Sequence, residues 1–217
     1  MRQHYTKTEY GQLLEHLRIV CQTNEQRNEH ILDGFDDLNV RYVQRSIPEG
    51  DYSLMIQACP ELGFPKDTYF FDEIFIERKN SLQELAQSLY GQKQTPPFVQ
   101  AVCDELRKQK LVSGLQGARI LDDLRRQYYV YDDAFLRELK RAQNKPFKYL
   151  LVEQPDGWNG ILNHAYPNQY SEAAFWGMIH RIEFDYGLHI KFLPARHMAK
   201  EIYTICKMAL DAKILKT

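Results

Sequence analysis

"GDYSLMIQACPELGFPKDTYFFDEIFIERKNSL", residues 50–82, decides the fold. Two runs rich in β-branched and aromatic residues, "DYSLMI" at 51–56 and "EIFIERK" at 73–79, read as strands joined by a connection that carries Pro60, Gly63 and Pro65. The second strand ends in Glu77, Arg78 and Lys79 and leads directly into "SLQELAQSLY", where Leu82, Leu85, Ala86 and Leu89 form one helical stripe and Asn80 or Ser81 is placed to cap the first turn. Side chains alternate across a strand, so Glu77 and Lys79 share a face and Arg78 points to the other. A charged strand end is commonly a solvated edge. If the strands holding Asp51 and Glu77 are neighbours, however, two carboxylates converge with a lysine beside them, a set suited to a hard divalent cation that keeps waters and phosphate oxygens among its ligands.

Working outward, "LRIVCQ" at 17–22 reads as a strand, and Ile31, Leu32, Phe35 and Leu38 recur at helical spacing behind it. "VRYVQRSI" at 40–47 is a second strand before the turn at Pro48, Glu49 and Gly50. Beyond the breaker "GQKQTPP", the stretches "FVQAVCDELRKQKLV" and "ARILDDLRRQYY" read as amphipathic helices separated by "SGLQG". "DDAFLRELKRAQ" is a further helix, "FKYLLVE" at 147–153 a buried strand, and "SEAAFWGMIHRIEFDYG" a helix with Phe175, Met178, Ile179 and Ile182 on its apolar face. "LHIKFL" and "RHMAKEIYTICKMALDAKIL" close the chain as strand and helix. Strands alternating with helices predict an α/β protein with a mixed central sheet flanked by helices. Residues 1–16 are expected to be an N-terminal extension, 17–217 the main domain, and 91–127 a helical insertion within it.

The chain has 217 residues, 44% of them apolar, enough to bury one sizeable core. A net charge of -1 excludes nucleic-acid binding through bulk charge and requires a local basic patch. Cys21, Cys59, Cys103 and Cys206 are widely spaced, which predicts reduced, buried thiols rather than a zinc site or a disulfide framework. The first residues lack the apolar run of a signal peptide, and no window approaches the roughly 18 to 20 apolar residues of a membrane span, so a cytoplasmic protein with no membrane partner is expected. No phosphate-binding glycine loop or G-x-S-x-G elbow occurs, which argues against a kinase, an ATPase or a serine hydrolase.

"GDY" followed by "IERKNSL" running into a leucine-rich helix resembles the nuclease domain of the XPF family of structure-specific DNA endonucleases, a branch of the PD-(D/E)XK superfamily with a restriction-endonuclease-like fold. "NEHIL", "AFLRELKRA", "YLLVE" and "AFWGMIHRIEFDYGLHIKF" stand in the order expected of that group, most like its short phage and bacterial members, and the resemblance spans about residues 17–210. It implies Asp51 and Glu77 as ligands of magnesium or manganese, Lys79 as the catalytic lysine, and Arg78 as a conformational or DNA-contacting member of the catalytic set. It also implies DNA as the partner; structure-selective cleavage in repair or recombination, a homodimer formed through the apolar faces of the last two helices, and a bacterial or phage-infected host cell as the setting are further expectations. Two family acids are replaced. The usual Asp-x-Arg-Glu after the first strand reads Gln22, Thr23, Asn24 and Glu25, and the acid expected after E-R-K-x3 falls on Gln83, with Glu84 next. Losing those charges weakens divalent-metal binding, so a catalytically weakened or silent DNA-binding or scaffold protein is the competing expectation.

Arg137, Lys140 and Arg141, with Lys145 and Lys148 nearby, are the predicted DNA contacts, through phosphates and hence without sequence preference. The alternative for the same helix is ordinary solvation with intrahelical ion pairs. The 91–127 segment, with seven Lys/Arg against four Asp/Glu, is a second basic stretch. His30, His180, His189 and His197 form no ligand spacing, and they and Trp158 and Trp176 read as packing or surface residues.

Overall fold

The computed structural model describes residues 5–25, 27–90, 92–94, 97–127, 130–132, 134–166 and 170–214. The elements run α1 (Lys7–Glu15), β1 (Leu17–Gln22), α2 (Glu29–Asp37), β2 (Tyr42–Arg45), β3 (Tyr52–Ile56), β4 (Thr68–Tyr69), β5 (Ile74–Lys79), α3 (Leu82–Tyr90), β6 (Gln92–Gln94), α4 (Pro97–Lys108), α5 (Gly114–Gln127), β7 (Val130–Asp132), α6 (Ala134–Arg141), β8 (Phe147–Glu153), α7 (Asn159–Leu162), α8 (Glu172–Tyr186), β9 (His189–Leu193) and α9 (Met198–Ile214). The chain divides into two compact units, one comprising residues 1–86 and 137–217, the other 87–136.

The larger unit holds a seven-stranded mixed sheet in the order β2-β1-β3-β5-β8-β9, with β4 paired to β3. β3 runs antiparallel to both neighbours, so β1, β5 and β8 point the same way and their carboxyl ends share one edge of the sheet. The α/β architecture expected from the alternating pattern is therefore the one found, with helices on both sides. One face, bearing Ile19, Cys21, Leu54, Ile56, Ile74, Ile76 and Leu151, is buried with α1, α2 and α9. Gly34 lets α2 approach α9, since a Cβ there would sit 2.7 Å from the Cβ of Ala199. The β1-α2-β2 and β8-α8-β9 crossovers step toward opposite ends of the sheet, so the right-handed rule puts α8 on the other face.

Several local expectations change. The stretch set aside as an N-terminal extension forms α1, started by a capping box in which the Thr6 hydroxyl accepts from the Glu9 N–H and the Glu9 carboxylate accepts from the Thr6 N–H. Its Leu13 is fully buried in the main core. Leu38 caps the end of α2 and is 45% exposed, because the helix stops at Asp37. "SGLQG" does not separate the insertion helices as a loop, since α5 begins at Gly114, while α4 ends at Lys108, ahead of Lys110 with φ +57°. The expected helix start at Asp132 is instead the end of β7, and α6 begins at Ala134.

In the smaller unit β6 and β7 pair antiparallel, a short two-stranded sheet that the sequence pattern did not announce. Val99, Cys103 and Leu121 form a small core with Leu106, Val112 and Leu124 around it. This unit, residues 87–136, extends beyond the 91–127 segment on both sides, further on the C-terminal one. All four cysteines are buried and free, and among the described residues no helix is long and apolar enough to cross a membrane.

Candidate active site

Asp51 sits where β1, β3 and β5 meet. Its backbone N–H donates to the Ile76 carbonyl at 2.8 Å and its carbonyl accepts from the Gln22 N–H at 2.8 Å. The turn before it needs glycine: Gly50 has φ +88°, and a Cβ there would lie 3.0 Å from the Ile76 carbonyl oxygen. The antiparallel pairing of Tyr52 with Ile76 puts Asp51 opposite Glu77 and on the same face. One Asp51 oxygen, Oδ2, accepts from the Arg78 backbone N–H at 2.8 Å, which fixes the carboxylate beside the strand end.

Glu77 and Lys79 occupy that face as the parity of β5 requires, and Lys79 Nζ donates to Glu77 Oε1 at 2.7 Å. Both are nearly buried, at 5% and 8% exposure. Burial pushes the Glu77 carboxyl up to about 7, with Lys79 pulling against the shift and the Glu138 charge adding to it. Burial, followed by the charges of Glu77 and Glu25, holds Asp51 well above the ordinary carboxylate range. Burial acts to lower Lys79, but Glu77, Asp51 and Glu84 outweigh it and the ammonium is stabilised. The site therefore gathers more negative charge than its one lysine balances.

Arg78 enters the opposite layer. Its Nε and Nη2 reach Glu25 Oε1 at 2.7 and 2.6 Å, and its Nη1 reaches Glu153 Oε1 at 2.6 Å. Glu153 is in turn within 2.9 Å of His30 on α2. With 5% exposure, the Arg78 side chain is closed off from a DNA backbone, so direct contact is replaced by an internal tie between β5, β8 and the loop after β1. Its main chain serves the site, through Asp51.

The two substituted positions differ in their surroundings. The Gln22 side-chain amide bonds Ile47 on both sides, donating from Nε2 to its carbonyl at 2.9 Å and accepting from its N–H at 3.3 Å, and it also accepts from the Thr23 N–H. A carboxylate could not make the donation. Gln83 is exposed. Glu84 accepts from the Asn80 N–H at 2.9 Å through Oε2 while its own N–H donates to Ser81 Oγ, which starts α3, and its Oε1 lies 4.0 Å from Lys79 Nζ.

The predicted DNA-contacting residues divide. Arg137, Lys140 and Arg141 are exposed on α6. Arg141 lies 3.6 Å from Glu49, one residue before the glycine turn. Lys145 is spent internally, bonding Glu49 at 2.8 Å and the Phe71 carbonyl at 2.7 Å. Lys148 donates to the carbonyls of Gln143 and Lys145, and burial lowers its pKa. Glu138, also on α6, was not among the expected site residues. Its Oε1 accepts from the Gly50 N–H at 2.8 Å, a link across 88 residues of sequence for which only the acidic position within a basic helix was visible beforehand.

Among the described residues no group of three or more His, Cys, Asp or Glu side chains is arranged to hold a metal ion. The donors that a cation would meet are the two carboxylates of Asp51 and Glu77, a set that fits a hard divalent cation completed by water and phosphate oxygens.

Comparison with known proteins agrees with this frame. No curated protein matches the chain. Among solved structures, XPF from Aeropyrum pernix superimposes with a TM-score of 0.51 at 16% identity, and the same protein in complex with DNA with a TM-score of 0.50 at 16% identity. Each match covers 89% of this chain and 65% of the archaeal one, so the chain spans just under two thirds of that relative's length. The sheet edge bearing Asp51, Glu77 and Lys79 falls inside residues 22–205, which match the ERCC4 domain, and the chain belongs to this family of XPF-type nuclease domains.

Proposed function

We propose that the protein is a metal-dependent DNA endonuclease that hydrolyses phosphodiester bonds, with structure-selective action in repair or recombination as its setting. The observation that supports this most directly is the convergence of Asp51, Glu77 and Lys79 on one face at the carboxyl edge of the sheet, with Asp51 anchored by the Arg78 N–H. Asp51 and Glu77 would hold magnesium or manganese. When bound, such an ion supplies a lowered pKa for a coordinated water and neutralises charge developing on the phosphate. Lys79 presents an ammonium stabilised by its carboxylate neighbours, suited to orient an attacking water or to stabilise negative charge on the phosphate oxygens. Arg137, Lys140 and Arg141 are the proposed phosphate contacts, and the DNA-bound archaeal XPF of similar fold supports DNA as the partner.

The test is cleavage of labelled duplex, single-stranded, flap and forked DNA with magnesium or manganese by the wild type, Glu77→Ala and Lys79→Ala. Metal-dependent cutting lost in both variants carries the proposal; a folded wild type that cuts none of these substrates defeats it. A second reading, a DNA-binding protein with weakened catalysis, is favoured by the commitment of Gln22 to Ile47 and by the exposure of Gln83, which leave both family acid positions without a carboxylate. It predicts salt-sensitive DNA binding without cleavage.

A further inference from the structure

The chain has two tryptophans, and they meet. Trp158, in the turn after β8, and Trp176, on α8, have ring centroids 4.6 Å apart. Trp158 also lies nearly parallel to the His180 ring, at 5.4 Å and 17°, and edge-on to Phe192 at 4.8 Å. The cluster is open to solvent on one side. Here both tryptophans and Phe192 keep partial exposure and His180 is exposed.

The location of the cluster gives it meaning. Lys79 pairs with Val152, and Val152 pairs with Phe192, so the three form one row across the sheet with side chains on the same face. Neighbouring strands lie about 4.8 Å apart, which places Phe192 roughly 10 Å along the row from Lys79. The aromatic cluster thus stands on the same side of the sheet as the candidate catalytic groups and two strands away.

We propose that Trp158, Trp176 and His180 form a stacking site for an unpaired base of single-stranded DNA flanking the phosphodiester presented at Lys79. The inference rests on the nuclease reading and deepens it by naming the substrate feature that this site would select. Aromatic side chains bind unpaired bases through their π-faces with little regard to sequence, whereas bases inside a duplex are already stacked on one another. The cluster would therefore favour DNA with a single-stranded segment beside the cut, which is the feature shared by flaps and forks.

Because both tryptophans lie in the cluster, the protein's tryptophan emission reports on it alone. The metal-free full chain is titrated with a short oligothymidylate and with a hairpin duplex, following tryptophan emission together with the anisotropy of the labelled DNA. Saturable quenching by the single strand but not by the duplex is expected. Trp158→Ala should lose about 5- to 160-fold in single-strand affinity by anisotropy, in line with one lost base–aromatic stack, while duplex affinity is unchanged and Trp158→Phe restores most of the loss. Single-strand binding seen by anisotropy with emission unmoved overturns the stacking site and leaves the nuclease reading intact, as does a folded Trp158→Ala that binds single strands like the wild type. No binding of either DNA by anisotropy overturns both.

Discussion

Replacing Arg78 by alanine separates the two layers that meet at the end of β5. The guanidinium is 3% exposed and spans Glu25 and Glu153, whose side chains are 13% and 11% exposed. Alanine removes three short contacts, at 2.7, 2.6 and 2.6 Å, and leaves two nearly buried carboxylates without their cation. Removing one partner of a buried ion pair costs about 3–5 kcal/mol. For a chain of this size each kcal/mol moves Tm by roughly 2–4 °C, so Arg78→Ala should melt about 6–20 °C below the wild type. Arg78→Lys should recover less than half of the loss, because a single ammonium cannot hold Glu25 through two nitrogens while also reaching Glu153. The assay is thermal and urea unfolding in EDTA, alongside manganese affinity measured at a temperature where both proteins are folded. The Asp51 carboxylate accepts from the Arg78 main chain, which alanine retains, so the manganese affinity of the folded variant should stay within a few-fold of wild type. A stability loss below about 1 kcal/mol would refute the structural role assigned to the guanidinium, given the cost expected for a broken buried pair. A stable Arg78→Ala that no longer binds manganese would instead place the side chain in the site.

Gln22→Glu keeps the side-chain length but turns the Nε2 donor toward Ile47 into an acceptor. It should cost about 1–3 kcal/mol, seen as a lower urea midpoint, without improving manganese affinity. Glu138→Ala leaves the Gly50 N–H without its acceptor and should weaken both stability and manganese binding, while Glu138→Gln, which keeps the acceptor, should retain the binding; calorimetry on the two variants separates the hydrogen bond from the charge. For Glu77 the sign follows from a folded-state pKa raised from 4.5 to about 7. Between those values the folded protein keeps a proton that the unfolded chain has released, so in EDTA the Tm should fall as pH rises through that window and level off above it. Glu77→Gln should flatten the profile, and a wild-type Tm that climbs from pH 5 to 7 would contradict the burial of this carboxyl. On α8, Phe184 is 91% exposed; if it supports self-association, sedimentation equilibrium at micromolar concentration should give a dimer that Phe184→Asp reduces to a monomer.

What was legible in the sequence was local. The period-2 alternation of "EIFIERK" places Glu77 and Lys79 together and Arg78 away from them, and the structure has them so. The leucine spacing of α3 and its Ser81 cap are equally local. The failures come from two sources. The capping box of Thr6 and Glu9 was visible, but with one fully buried leucine behind it α1 carried too weak an apolar stripe to be separated from a polar tail. Glu138, the partners of Gln22 and the β6-β7 pairing depend on contacts across 88, 25 and roughly 36 residues, and no sequence window contains both members of any of these. Lys145 shows the same limit from the other side: in sequence it is one of five clustered cations, and only the fold shows Glu49 and the Phe71 carbonyl consuming it.

The three alternating charges with which β5 ends differ in purpose because the sheet has two covered faces. Toward α2, one cation meets two carboxylates in short, multiply bonded geometry, and a buried arrangement of that kind is strongly destabilised when broken. Toward the candidate site, Asp51, Glu77 and Glu138 face a single lysine, and burial of the excess charge raises both Asp51 and Glu77. A surface chosen for stability alone would place apolar residues at 77 and 79, as β5 does at Phe75 on the same face. The strained carboxylates persist beside an arginine tie that anchors the same strand end from behind. A divalent cation would relieve the excess charge, so it should raise the stability of the wild type more than that of Glu77→Gln, even if Gln22 and Gln83 leave too little charge for rapid cleavage. Metal-induced thermal shift is therefore a sharper measure of whether this edge is a metal site than turnover, because it reads the two carboxylates without requiring the rest of the reaction to work.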